Sequence, residues 1–197
     1  MIREGIRTFL AARLRRFGYD EQGVSAIEFA LLLPLMITLY LGGVEVSQAV
    51  SADRKTTLVA HTVGDLIAQM TNATTAAGPN SVDDVLAAAS TVAYPLSGLR
   101  ITLSSVCIDA TGQIATIAWS RATQNATARS GTVTSSIDSR LMGTANAGTS
   151  LIWGEASYDY RPTVGWTITG VLTMSDKSLS RPRQGKSITL DGAHACP

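Results

Sequence analysis

The chain has 197 residues, 45% of them hydrophobic and 16% charged, with a net charge of +1 and a mean hydropathy of +0.17. That length holds one compact domain plus a membrane segment. The near-zero charge excludes the basic footprint of a nucleic-acid-binding protein, and two cysteines are too few for a disulfide-built miniature scaffold.

Charge is concentrated at the start. Arg3, Arg7, Arg13, Arg15 and Arg16 outweigh Glu4, Asp20 and Glu21 in residues 1–23, and the remainder is rich in Ser, Thr, Ala and Gly. The 16 residues from Phe29 to Val44 then carry no charge. At about 1.5 Å per residue they span roughly 24 Å, short of a hydrocarbon core of about 30 Å. Counting from Val24 gives 21 residues and roughly 31 Å, but includes Glu28. A carboxylate costs on the order of 3 kcal/mol at a bilayer centre and much less among headgroups. Glu28 therefore reads first as an interface residue on a short anchor. Pro34 removes one helical donor and crowds the carbonyl of Ala30, which predicts a kink. The arginine-rich flank places the N-terminus in the cytoplasm and residues beyond about Glu45 outside. A charged leader, an apolar run and small residues at Ser47, Ala49, Ser51 and Ala52 also fit a secretory signal peptide. The long leader and the unbroken helical pattern argue against a cleaved signal of that kind.

Beyond the apolar run, Val59, Val63, Leu66, Ile67 and Met70 keep helical spacing. Arg54, His61, Asp65 and Gln69 fall largely on another face. One helix is expected from about Ser25 to Met70. Residues 71–80, with Gly78 and Pro79, read as a loop. Ser81, with Asp84 three residues on, resembles a capping box, and Val82, Val85, Leu86, Ala89 and Val92 form a short amphipathic helix ending near Pro95. Strands are expected over Leu99–Asp109 and Gln113–Trp119, joined by a turn at Thr111 and Gly112. Further strands are expected over Leu151–Arg161, Ser178–Arg183 and Lys186–Leu190, with a polar loop over Arg121–Ser136. The sum is an α+β fold with an antiparallel sheet. The expected divisions are a leader over 1–23, a helix over 24–70 and an extracytoplasmic domain over 71–197.

With residues beyond Glu45 outside, Cys107 and Cys196 lie in an oxidising compartment, where a bridged pair is expected. Enzyme signatures fail. Gly185, Lys186 and Ser187 resemble the end of a phosphate-binding loop, but Ser180 stands where its first glycine belongs. His194 and Cys196 lack further clustered ligands. Asn72–Thr74 and Asn125–Thr127 match glycosylation acceptors only formally. Trp119, Trp153 and Trp166 can line a groove, although packing on the sheet is the plainer reading. No catalytic constellation, cofactor, metal or small-molecule substrate is expected.

The string QGVSAIEFALLLP over residues 22–34 is similar to the processing region of type IV-type prepilins, and in its full extent resembles the TadE-like segment of tight-adherence (Flp-type) pilus systems. Tyr158–Pro162 and Arg181–Arg183 are more weakly similar to the C-terminal part of TadE/TadG-like proteins. The resemblance implies that a prepilin peptidase cuts between Gly23 and Val24, leaving Glu28 as the fifth mature residue beside Phe29. Glycine suits such a cut because its backbone extends freely. The new amine on Val24 can pair with Glu28 in its own chain or a neighbour, lowering the cost of the carboxylate and fixing helix register. The implied role is a single-pass inner-membrane pilus assembly component, a minor pseudopilin whose partners are pilin and pseudopilin subunits. The rival reading is a stand-alone, membrane-anchored periplasmic binding domain.

Overall fold

The computed structural model describes residues 22–123, 125–163, 170–193 and 196. Residues 1–21 of the basic leader, Trp166 and His194 lie outside them. The chain divides into two units, Met1–Val46 and Ser47–Pro197. Helix α1, Gln22–Ala68, contributes to both. It continues through Pro34, and the Thr38 hydroxyl donates to the Pro34 carbonyl at 2.8 Å.

In the first unit nearly every side chain of α1 is exposed, with Leu31 at 74%, Leu39 at 69% and Tyr40 at 72%. Removing such a side chain from water is worth about 1.5–3 kcal/mol. A helix apolar on all sides therefore needs lipid or other helices around it.

The second unit is an α+β domain. The distal part of α1 is followed by β1 (Asn72–Ala73), helix α2 (Val82–Val92), and strands β2 (Arg100–Ile108), β3 (Ala115–Ala122), β4 (Ser150–Tyr160), β5 (Leu172–Ser180) and β6 (Thr189–Leu190). Ser81 caps α2: its hydroxyl accepts from the Asp84 amide at 3.1 Å, satisfying one otherwise free donor. Strands β3-β2-β4-β5 form one sheet with every neighbouring pair antiparallel.

The period of two divides the sheet's side chains between two cores. On one face Ile101, Leu103, Ile152 and Ala156 meet Val59, Ala60, Val63 and Ile67 of α1 and Leu86 and Ala89 of α2. On the other, Val106, Ile108, Leu151 and Trp153 pack with Val133 and Ile137 from the β3–β4 connection. Both faces of β2 are thus covered.

Gly154 marks the closest approach of helix and sheet. A Cβ built there would lie 2.5 Å from the Ala60 carbonyl oxygen, 3.2 Å from the Gly64 amide and 3.3 Å from Val63. Gly64 itself has room, with its nearest contacts at 3.7–3.8 Å. At the β2–β3 turn, Gly112 has φ +75° and a Cβ would meet the Gly143 backbone at 2.2 Å. Glycine is required there on both grounds.

Several expectations need correction. Leu66, assigned to the apolar face of α1, is 41% exposed. The expected loop at 71–80 contains β1, which pairs in parallel with β6. The fourth expected strand begins six residues earlier than Ser178, at Leu172, and ends at Ser180. Strand β3 extends to Ala122, into the expected loop, and three short helical turns occupy part of the remaining connection.

Candidate membrane and assembly segment

Gly23, Val24, Glu28, Phe29 and Pro34 all lie on α1. Val24 and Glu28 are four residues apart and share one face, one turn from each other. Val24 is 56% and Phe29 59% exposed, and Glu28 is exposed as well. Among the described residues Glu28 has no ion-pair partner. A Cβ on Gly23 would meet nothing within 4 Å, and the same holds at Gly42 and Gly43. Packing among the described residues therefore gives no reason for glycine at position 23.

α1 is long and apolar enough to cross a membrane, and its most apolar window has no residue buried within the protein. Its distal part is different: Val59, Val63, Ile67 and Ala68 are at most 1% exposed. His61 is exposed, while Asp65 accepts from the Ser180 hydroxyl at 2.9 Å.

The sulfurs of Cys107 and Cys196 are bonded, with Cα atoms 5.4 Å apart and a sequence separation of 89. The tryptophans that fall within the described residues are core side chains. Trp119 is 4% exposed and its indole N–H donates to the Ile188 carbonyl at 2.8 Å. Trp153 is 2% exposed, with the Arg129 guanidinium 4.4 Å above its ring. Arg129 also donates through two nitrogens to Glu155.

These two residues border an open polar cleft of about 880 Å³ on the face opposite the helices, lined also by Arg100, Thr102, Ser175 and Lys177. The sequence signal for it was faint, because its residues come from three strands and a connection. The Arg100 guanidinium donates to both Asp159 oxygens at 2.7 and 2.9 Å and through Nε to Ser157. That hydrogen bonding, followed by the Thr173 hydroxyl, lowers the Asp159 pKa from 3.8 to about 2.

A depressed native pKa contributes stability above the unfolded value near 3.8, and the contribution is lost as pH falls through about 2. Arg100→Gln is expected to move the Asp159 titration up toward 3.8 and so to remove this carboxyl's share of the domain's stability at neutral pH and of its weakening in acid. NMR titration of the Asp159 carboxyl in both proteins checks this. A parent midpoint already near the ordinary carboxylate value would show that Arg100 has no such effect.

Among the described residues one helix, α1, is long and apolar enough to cross a membrane, and it is joined in sequence to an α+β domain, consistent with single-pass anchoring. Residues 23–64 carry a TadE-like segment, matching the family model described as TadE-like protein. No curated protein matches the chain, and no solved structure does. The matched range begins at Gly23, takes in Glu28, Phe29 and Pro34, and ends at Gly64, opposite Ser178 and Ser180. It supports a role connected with the Tad pilus system and does not favour a stand-alone binding domain.

Proposed function

We propose that this chain is a membrane-anchored assembly component of a tight-adherence pilus, a TadE/TadG-like minor pseudopilin without enzymatic activity. The observation that carries the reading is coincidence: the TadE-like segment lies on a helix whose proximal apolar side chains are exposed among the described residues. Lipid alone satisfies such a helix in a simple anchor. Other pilin-like helices satisfy it in an assembly, where Glu28 gives the register that apolar contacts lack.

The arginine-rich leader orients the N-terminus toward the cytoplasm, the helix crosses the inner membrane, and the α+β domain lies outside. A prepilin peptidase cuts between Gly23 and Val24. The room around Gly23 supports this reading, since no described residue packs where its side chain would be. The freed Val24 amine, with a reference pKa of about 8, pairs with Glu28 of the same or an adjacent subunit.

Two measurements test the proposal. Mass spectrometry of the protein from membranes of a pilus-producing cell is expected to find Val24 as the first residue; an intact Met1 removes the processing step. A photo-crosslinker replacing Phe29 is expected to trap pilin or pseudopilin subunits. Crosslinks to lipid alone, with normal expression of the pilus proteins, reject the assembly role.

A further inference from the structure

After β5 the chain turns back and lies across one end of the external domain. The Arg183 amide donates to the carbonyl of Ala68, the last residue of α1, at 2.7 Å. The Ser150 amide of β4 donates to the Lys186 carbonyl at 2.8 Å. Ile188 is fully buried, and its carbonyl receives the Trp119 indole N–H. Thr189 and Leu190 pair with Asn72 and Ala73. The Asp191 carboxylate then accepts from the Thr75 amide and hydroxyl at 3.0 and 2.9 Å, and the Asn72 side-chain oxygen accepts from Thr189 and from the Gly192 amide. Residues 183–193 thus strap the end of α1 and strand β1 to strands β3 and β4. Cys196, three residues beyond, is bonded to Cys107 of the central strand β2.

Without that bond the strap has a weak hold. Ile188 is its one fully buried apolar side chain among the described residues. Most of its other contacts are single hydrogen bonds near solvent, each offering a small net gain because water competes for the same groups. Its seat is also imperfect. Ser150, paired in register with Cys107, and Ser105, two positions before Cys107, are each 1% exposed and their hydroxyls have no protein partner. Burying hydroxyls without partners beside the disulfide carries a desolvation cost. The covalent bond offsets it by confining a loop of about 90 residues in the open state. The main sheet does not depend on the strap for its pairing: β2, β3, β4 and β5 hydrogen-bond with one another.

We propose that residues 183–193 are a redox-set latch, closed by the Cys107–Cys196 bond and released as a unit when the bond is reduced, while the four-stranded sheet stays folded. Closure is an exchange with an external disulfide. One cysteine thiolate attacks it, forming a mixed disulfide and expelling a thiol; the second cysteine displaces the other thiol. The two cysteines lose two electrons and two protons in all, and the reagent disulfide becomes two thiols. In the reverse direction Cys196, the more exposed sulfur-bearing residue, is the accessible point of attack, because Cys107 is buried. The latch completes the domain only in an oxidising compartment, and until then the seam between Ile188 and Trp119 is uncovered.

The test uses the full chain in detergent micelles, with amide hydrogen exchange read before and after reduction by a phosphine and again after oxidised glutathione is added. Exchange at Arg183, Asp191 and Thr75 is expected to accelerate by about tenfold or more on reduction. Exchange at Leu103 and Ile152 is expected to change little, and glutathione disulfide is expected to restore the strap. Cys196→Ser is expected to reproduce the reduced pattern without any reagent. Equal protection of the strap in both states overturns the latch. Acceleration of strap and central sheet together overturns it as well, since the bond would then stabilise the domain as a whole.

Discussion

Replacing Gly154 by alanine is expected to destabilise the α+β domain by about 1–3 kcal/mol, the usual cost of overpacking a close contact. In an ordinary strand the same change is neutral or favourable, because glycine loses more chain entropy on folding than alanine does. Here the new methyl would stand 2.5 Å from the Ala60 carbonyl oxygen. Its neighbour is helix backbone, which cannot rotate away as a side chain can, so α1 has to lift from β4 or slide along it. The helix-facing core of Val59, Val63, Ile67 and Ile152 shares that displacement.

Gly64→Ala provides the internal comparison. Its methyl finds ordinary contacts at 3.7–3.8 Å, and alanine gains up to about 1 kcal/mol of helix propensity. Thermal unfolding of the two variants in the full chain is therefore expected to show shifts of opposite sign. A Gly154→Ala protein that melts at or above the parent temperature would refute the close approach.

Replacing Glu28 by alanine is expected to leave membrane insertion intact and to abolish incorporation into the pilus machinery. Insertion has no need of the carboxylate, because the apolar residues around it already provide the span. Under the proposed assembly, removing one member of a buried pair leaves the Val24 amine without its partner, at a cost of about 3–5 kcal/mol. That corresponds to at least a hundredfold loss of subunit affinity. Glu28→Gln keeps the shape and loses the charge, so it is expected to follow the alanine variant. Quantifying membrane-fraction protein beside assembled pili separates insertion from assembly. Normal pili in the alanine variant would end the register role.

The sequence alone determined the elements whose signals are local. The apolar run, the spacing of Val59, Val63 and Ile67, the Ser81 cap and the Gly112 turn each depend on residues a few positions apart. The α+β class follows from them, as does recognition of the TadE-like segment. Strand β5 was legible only at its end. It is an edge strand with much of Leu172–Lys177 in contact with solvent, so no alternation of burial was imposed on its sequence. Strands β1 and β6 are two residues each and exist only because they meet across more than a hundred positions.

Tertiary structure alone decided the sheet order, the polar cleft, the seat of the strap and the need for glycine at position 154. Each depends on groups brought together from distant parts of the chain, where loop closure and packing outweigh local preference. At Gly23 and Glu28 the situation is reversed: the sequence singles them out, while among the described residues Gly23 has no packing neighbour and Glu28 no ion-pair partner. Under the proposed assembly their chemistry is directed outward, to membrane and to other subunits.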